Sequence, residues 1–530
     1  MMPSETPLLI VGAGPVGLTM ACELARHGAR CRIIDKAPQR SQTSKALAVF
    51  PRTLEVFETM GVVDRVLARG LPLRGICIHN QKEEIAKIEM AAVASPYPFV
   101  LSLPQSETER ILIELLESLG VSVERECELT GLTQTDTAVH AVVRDASGHE
   151  ETIETPWLLG CDGAHSATRH LLGMEFEGAP YEESFVLADL KVETTLSKDE
   201  AHLFFSDEGI FAIIAFSPEQ SRIIANIPVQ SGAAEIPDFT FDEIQAIARR
   251  RGPSGLGLSD PTWISRFHIS RRMVSQFRKL RVFLAGDAGH IHSPAGGQGM
   301  NTGIQDAFNL AWKLALVVSN RAPAQLLGSY HVEREPVARG VLNLTDRITR
   351  MATAHNPIVQ TARNILLPII SGIDFLDKKI ADRLAELAVN YRSSPIVENH
   401  GAGTPRAGDR APDADLRDAN GKACRLFELF REPRHILLLF LGASANEESA
   451  LLPDSLGDMI RVYRIARGRS AKTANGDLLD LSGNVHSLYH MLNGGFVLVR
   501  PDGYIAFRCD RFDTAKFRNY LTRIFGVAAE

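Results

Sequence analysis

Residues 8 to 35 constrain the fold more than any other stretch of this chain. Leu8 to Val11 is a short apolar run that enters Gly12-Ala13-Gly14-Pro15-Val16-Gly17, a GxGxxG cluster. Behind it Leu18, Ala21, Cys22 and Ala25 recur at helical spacing, Gly28 supplies a stop, and Cys31 to Asp35 reads as a second strand. Strand, glycine turn, helix and strand make a βαβ unit, which calls for a parallel sheet. Gly12 permits the tight turn, Gly14 lets backbone approach a pyrophosphate, and Gly17 allows close helix–strand contact. The helix N-terminus offers N–H groups and partial positive charge to phosphates, and Pro15 fits a first turn where a missing donor costs little. Asp35, ending the second strand, is placed to accept hydrogen bonds from an adenosine ribose. Such a turn binds a dinucleotide but does not separate FAD from NAD.

Length and composition narrow the class. A chain of 530 residues exceeds one compact core and predicts about two to four domains. With 45% apolar and 23% charged residues it matches an ordinary globular enzyme. A net charge of −7 gives no electrostatic reason to bind nucleic acid. Cys22, Cys31, Cys77, Cys127, Cys161, Cys424 and Cys509 form no CxxC pair and no metal-like cluster, the pattern of reduced thiols in a cytosolic protein. His165, His290 and His292 lack a carboxylate or cysteine set at ligand spacing, so no metal is expected. The start of the sequence lacks the positive and apolar regions of a signal peptide, and no stretch approaches the roughly 18 apolar residues of a membrane span. The expected location is the cytoplasm, with no membrane partner.

Further on, Ser106 and Glu109 have capping-box spacing ahead of Ile111, Leu112, Leu115, Leu116 and Leu119, with Gly120 closing the helix. A strand is signalled near Trp157 to Cys161. Between 180 and 275, runs such as Ile210 to Phe216 and Arg222 to Ile227, broken by Ser217-Pro218 and Pro228, predict an antiparallel sheet. The run through Phe204-Phe205 and Ile210 to Ile214 either lines a flat apolar pocket or packs as a core side. Arg281 to Ala285 is again a buried strand, leading into a long helix from Gly299 with an apolar stripe at Ile304, Ala307, Phe308, Ala311, Leu314 and Ala315. Residues 345 to 400 are mostly helical in pattern, and Gly401 to Pro412 reads as a linker. The remainder mixes strands (His435 to Leu441, Phe496 to Val499, Tyr504 to Arg508) with helices, as in a separate α/β domain.

Two later segments carry chemistry. Gly160-Cys161-Asp162-Gly163-Ala164-His165-Ser166-Ala167-Thr168-Arg169 resembles the DG signature of the aromatic hydroxylase flavoproteins. Gly286-Asp287-Ala288-Gly289 through His292-Ser293-Pro294-Ala295-Gly296-Gly297-Gln298-Gly299-Met300-Asn301 resembles the GD signature of the same family. The three motifs stand in the family's order. Gln42-Thr43-Ser44-Lys45-Ala46, Gln105-Ser106-Glu107-Thr108-Glu109-Arg110 and Tyr330-His331-Val332-Glu333-Arg334 add to a resemblance closest to the phenol-hydroxylase and pentachlorophenol monooxygenase group and the hydroxylases of aromatic polyketides.

The resemblance implies an α/β and α+β fold. A Rossmann-like FAD-binding domain (1–178 and 279–345) would hold an inserted antiparallel-sheet substrate domain (179–278). A helical segment (346–400) and a thioredoxin-like domain without CxxC (401–530), structural or dimer-supporting, would follow. It implies FAD as cofactor and NAD(P)H as co-substrate, the latter bound transiently because there is one dinucleotide fingerprint. A phenolic or polycyclic aromatic substrate and O2 complete the reaction, through a C4a-hydroperoxyflavin. The cofactor set is Gly12, Gly14, Pro15, Gly17, Asp35, Lys45, Gln105, Asp162, Asp287, Pro294, Gly297, Gly299, Met300 and Asn301. Asp287 would reach the ribityl hydroxyls, and the Gly299 to Asn301 helix start would aim its positive end at the flavin N1–C2 edge. Asp162 would brace its loop, Arg169 would meet an anionic cofactor or an ion-pair partner, and Lys45 would lie near the isoalloxazine. No catalytic base is assigned; His202, Asp207, Arg222 and Asn226 read as ordinary residues of the substrate sheet. A halogenase is disfavoured because Trp157, Trp263 and Trp312 form no WxWxIP motif. A Baeyer–Villiger or epoxidising oxygenase, and a flavin-binding regulatory protein, share the scaffold.

Overall fold

The computed structural model describes residues 7–43, 46–80, 83–228, 239–293, 296–352, 374–442, 456–468 and 477–526. The helices used below are α1 (Pro15–Arg26), α2 (Pro51–Thr59), α3 (Val63–Leu67), α4 (Gln105–Ser118), α5 (Ala167–Leu171), α6 (Phe241–Arg251), α7 (Gly299–Val318), α8 (Ser329–Ala352) and α9 (Asp374–Leu384).

The βαβ opening forms as the sequence predicts. Leu8–Val11 is buried along its whole length and lies between Leu158–Gly160 and Cys31–Asp35, parallel to both. Val282–Leu284 and Val123–Arg125 extend the parallel sheet, and Arg278–Lys279 adds an antiparallel edge. A strand covered on both faces needs apolar residues at every position, hence the unbroken run LLIV. Helices α1 and α7 pack against each other over this sheet.

A second sheet runs in the order His290–Ile291, Gly257–Met273, Glu177–Glu193, Gln220–Pro228, Gly209–Ala215, Glu200–Ser206, Gly75–Asn80, Glu83–Glu89. It is antiparallel apart from the pairing of Glu200–Ser206 with Gly75–Asn80. It is therefore wider than residues 179–278, because two strands from the N-terminal part join its edge. Side chains alternate between its faces, so the apolar run divides. Phe204, Phe211 and Ile213 pack under α6 with Ile244, Ile247 and Ala248. Phe205 and Ile210 join Ile78 and Ala86 on the opposite face, where Ile214 meets the cluster of Phe50, Ala381 and Ala385.

Two local expectations are corrected. Helix α4 starts at Gln105 with Pro104 as its N-cap and no side-chain cap, so Ser106 and Glu109 form no capping box. Pro104 sets the helix entry two residues early, and Glu109 instead accepts from Gln105 Nε2 at 2.9 Å. Gly401 to Pro412 is no free linker: Ala407 and Ala411 are buried, and the Arg410 guanidinium donates to Glu55 at 2.9 Å. Of the segment 345 to 400, α8 and α9 are helical, residues 353–373 lie outside the described residues, and the chain beyond α9 is not helical.

The C-terminal part builds an eight-stranded mixed sheet around His435–Phe440, which pairs in parallel with Ile460–Arg467 and antiparallel with Gly495–Val499. Cys424 lies on the edge strand Ala423–Arg425 and Cys509 on Ile505–Cys509, with five strands between. At about 4.8 Å per strand they stand far beyond disulfide reach.

Candidate active site

All three glycine-bearing motifs meet at the C-terminal ends of the parallel strands. Gly12 has φ +99°, and a Cβ there would stand 2.5 Å from the Cys161 carbonyl oxygen. The first motif thus touches the second. A Cβ on Gly17 would collide with the Gly12 carbonyl, so the first turn of α1 closes directly onto the glycine turn. The second motif is tied to the third by Ala285 N–H donating to Gly160 C=O at 3.0 Å. The third returns to the first, since Val16 fills the space beside both Gly286 and Gly303.

Within this frame Asp162 braces its own loop. Its carboxylate accepts from Ser166 Oγ at 2.6 Å and from Thr168 N–H at 2.9 Å. Arg169 has no ion-pair partner among the described residues, which removes the ion-pair half of its expected role. It is buried, donates to the Ala288 and Ala164 carbonyls at 3.1 and 2.9 Å, and stacks on Phe176. It thereby staples the DG loop to the GD loop. Asp35 accepts from Ala13 N–H at 2.6 Å and Ala37 N–H at 2.8 Å, fastening the strand end to the glycine turn. Gln105 Oε1 accepts from Ala46 N–H at 3.4 Å. Asp287 is the exposed residue in an otherwise buried stretch from Val282 to His290. Lys45 and Pro294 lie outside the described residues.

The Asn301 side chain is committed to the protein's own backbone. Its Oδ1 accepts from Phe50 N–H at 3.0 Å, and its Nδ2 donates to the Ala48 and Gly297 carbonyls at 2.9 and 3.0 Å. Gly297 has φ +66° and packs on Ala48 and Phe50, the residues that also touch the apolar face of the large sheet. The loop before α7 and the apolar sheet face are thus adjacent.

Sequence reasoning missed the group that holds this loop. Asp306, on α7 and fully buried, accepts from Gly286 N–H at 3.0 Å, from His290 Nε2 at 2.7 Å and from Arg334 Nε at 2.6 Å. Burial would raise its carboxyl, but Arg334 and His290 outweigh that and hold it below its ordinary value. Arg334 also donates to the Thr302 carbonyl at 3.1 Å, and Tyr330 Oη donates to the Leu284 carbonyl at 2.9 Å. The one available signal was an acid among the apolar stripe of α7. Of the residues on the large sheet, His202 pairs with His79 at 3.1 Å, Arg222 is bidentate to Asp189 at 2.7 and 2.8 Å, Asn226 accepts from Ile210 N–H at 2.7 Å, and Asp207 is exposed.

The arrangement fits an FAD. Helices α1 and α7 both begin without a side-chain cap and without an acid in the first turn, so neither feature offsets the positive end of either helix. Gly14 heads α1, and a Cβ built on it would meet nothing within 4 Å, the clearance a pyrophosphate needs. At the head of α7, Gln298 Oε1 and His292 Nε2 are buried without a hydrogen-bond partner among the described residues. Burial lowers His292 to about 4, so it is a neutral ring at pH 7. Among the described residues no group of three or more His, Cys, Asp or Glu could hold a metal ion, and no helix is long and apolar enough to cross a membrane.

Fold and site together define a flavoprotein. Comparison with known proteins names the family. An FAD-binding domain profile matches residues 5–345, and an aromatic-ring hydroxylase C-terminal profile matches residues 404–528. The chain is 34% identical to 6-methylpretetramide 4-monooxygenase of Streptomyces rimosus, covering 97% of this chain and 93% of that one. It is 32% identical to pentachlorophenol 4-monooxygenase of Sphingobium chlorophenolicum, covering 96% and 95%. The solved anhydrotetracycline hydroxylase of Streptomyces rimosus superposes with a TM-score of 0.80 at 28% identity over 99% of each chain. Aklavinone-11 hydroxylase, solved with FAD and aklavinone, gives 0.80 at 25% identity over 99% of this chain and 100% of that one. The chain belongs to the aromatic-ring hydroxylases and is an FAD-dependent aromatic monooxygenase with a mixed α/β fold.

Proposed function

We propose that the protein hydroxylates a phenolic ring of a polycyclic aromatic substrate, with NAD(P)H and O2 as co-substrates. One observation carries the substrate class: the apolar face bearing Phe205, Ile210 and Ile214 leads directly to Ala48 and Phe50, which pack on the loop before α7. An apolar sheet face next to that loop suits fused rings. The relatives that act on 6-methylpretetramide and anhydrotetracycline point the same way.

Bound FAD supplies hydride acceptance and oxygen activation, which no side chain provides. The protein supplies position and field. The N–H groups heading α1 would bind the pyrophosphate past Gly14, Pro15 and Gly17, with Gly12 shaping the turn. Asp35 would keep lone pairs for the ribose beyond those given to Ala13 and Ala37, and the exposed Asp287 would meet the ribityl hydroxyls. Gln105, Lys45 and Pro294 would border the ring. The backbone of Gly297, Gly299 and Met300 would lie against its pyrimidine edge, where the positive end of α7 favours negative charge. Asn301 and Asp162 would serve by holding loops. Burial of the surrounding sheet would exclude water from the reacting edge. NAD(P)H would bind a surface groove transiently, since the chain has one dinucleotide fingerprint.

In this reading residues 1–178 and 279–345 form one Rossmann-like domain around an inserted sheet domain, 179–278, followed by a helical segment, 346–400. The part from 401 to 530 is thioredoxin-like. The parallel pair His435–Phe440 and Ile460–Arg467, followed by the hairpin Gly495–Val499 to Ile505–Cys509 and the helix Thr514–Phe525, supports this.

Purified protein should be yellow, and NAD(P)H consumption should rise on adding a suitable polycyclic phenol, with matching oxygen uptake and a product heavier by one oxygen. A lactone product would instead favour Baeyer–Villiger chemistry, and absence of any substrate-stimulated turnover across phenols would overturn the proposal. Asp287→Ala should give largely colourless protein with its melting temperature unchanged in the apo form, because an exposed carboxylate carries little folding stability. Full flavin occupancy in that variant would contradict the role given to Asp287.

A further inference from the structure

Glu386 stands just beyond α9 in a conformation that glutamate rarely adopts, with φ +60°. Leu387 N–H donates to the Asp382 carbonyl at 3.0 Å and Glu386 N–H to the Arg383 carbonyl at 3.1 Å. That pairing is a Schellman ending, whose left-handed residue is usually glycine. A side chain at this point carries strain of about 1 kcal/mol or more. It also takes an acid inside the protein, since Glu386 is 5% exposed.

What the carboxyl meets is the start of α7. Thr302 Oγ1 donates to it at 3.3 Å, and Gln305 Nε2 donates to its other oxygen. The neighbouring Ala385 carbonyl accepts from Arg52 N–H at 3.2 Å, in the first turn of α2. Asn301 accepts from Phe50 N–H at the same junction. The end of α9 and the starts of α2 and α7 are thus locked together, with Glu386 at the centre. Backbone strain at a buried polar contact is the usual mark of a position over-determined by its surroundings.

We infer that Glu386 is a positioning residue that fixes the first turn of α7 and sets the charge met by the flavin edge held there. This rests on the reading that the start of α7 faces the flavin. Burial pushes the Glu386 carboxyl up to about 8, against the pull of Arg334 and the two side-chain donors and with a further push from Asp306. The charged groups facing it are Arg334 from α8 and Asp306 from α7. Arg52 of α2 turns its guanidinium to Glu55 and to the Asp502 carbonyl. At neutral pH Glu386 is therefore a neutral acid and leaves the positive end of α7 undiminished. Ionised, it would set a negative charge beside that end and disfavour the negative charge of reduced flavin.

The sign of the pH effect follows. The folded protein keeps a proton that the unfolded chain releases near 4.5, so the stability of the wild type falls as pH rises from about 4.5 to about 8. Glu386→Gln keeps the shape and the neutral charge but cannot ionise. In apo-protein melts from about pH 5 to pH 9, the advantage of Glu386→Gln over wild type should grow through that window and then level off. In the holoprotein, the flavin midpoint potential of wild type should fall more steeply than that of Glu386→Gln above about pH 8. Glu386→Ala, which leaves Thr302 and Gln305 without their acceptor, should weaken FAD binding by about tenfold or more, and Glu386→Gln should restore it.

Parallel melting curves and parallel potentials for wild type and Glu386→Gln would overturn the inference, as would unchanged FAD affinity in Glu386→Ala. A wild-type chain that takes up no flavin would overturn the underlying flavin reading. The apo-protein melts would still decide whether Glu386 is held as a neutral acid.

Discussion

Asp306→Ala is expected to lower stability by about 3–5 kcal/mol and to strip the protein of its flavin, the largest effect of any single change at the site. The substitution removes the acceptor for three donors at once: the Arg334 guanidinium, His290 Nε2 and Gly286 N–H. It leaves the Arg334 charge buried, with the Tyr391 hydroxyl and Thr302 carbonyl as its neutral partners. Gly286 would lose the anchor that fixes the loop carrying Asp287. Thermal melting together with flavin absorbance per mole of protein would check both halves. Asp306→Asn, which keeps an acceptor but not the charge, should fall between. Retention of wild-type melting and colour by Asp306→Ala would show that the loop is held by packing alone.

A comparable loss is expected from Arg500→Met, in the C-terminal part of the chain but on the same helix-centred network. Arg500 is bidentate to Glu333 at 2.6 and 2.9 Å and donates to Asp502 at 2.9 Å. Glu333 also accepts from Lys313 at 2.7 Å, and Asp502 accepts from Trp312 Nε1 at 3.2 Å. All of these groups are buried, and Lys313 and Trp312 lie on α7. The C-terminal part therefore grips the helix that begins at Gly299. Removing Arg500 strands two carboxylates against one ammonium, and breaking a buried pair from one side costs about 3–5 kcal/mol. Melting temperature, and release of the C-terminal part under brief proteolysis, should both report it; an unchanged melt would mean that apolar contacts alone hold the two parts together.

The same network makes the protein acid-sensitive. Burial would raise Glu333, but Arg500 and then Lys313 outweigh it and hold the carboxyl well below its ordinary value of 4.5. A group depressed in the folded state contributes stability above its unfolded value and loses it as pH falls through the folded one. The Glu333 contribution should therefore be complete above about pH 5 and be lost below it, so that wild type loses stability on acidification more steeply than Glu333→Gln.

How much of this was legible beforehand depends on the range of the interaction. The βαβ turn was readable because part of its demand on glycine is local: Gly12 takes φ +99°, and Gly17 closes onto the Gly12 carbonyl five residues back. Strands of the large sheet were readable as short apolar runs between breaker residues, but not that Gly75–Asn80 would join them, since strand pairing between distant segments leaves no local trace. Tyr330 to Arg334 was recognisable as a string of residues. That Tyr330, Glu333 and Arg334 point into three different buried contacts was not. Asp306 and Glu386 carried no usable signal, because an isolated acid in an apolar pattern reads as an exception until its partners are known.

The amino-acid sequence alone determined that this chain winds a glycine-bearing parallel sheet and presents three motifs suited to one dinucleotide cofactor. Periodicity and backbone sterics act over a few residues and are written locally. The tertiary structure decided which polar groups are spent on holding the protein's own loops, as those of Asn301, Arg169 and Asp306 are. Desolvation and charge pairing depend on what surrounds a side chain in space, and that environment is assembled from residues tens to hundreds of positions apart.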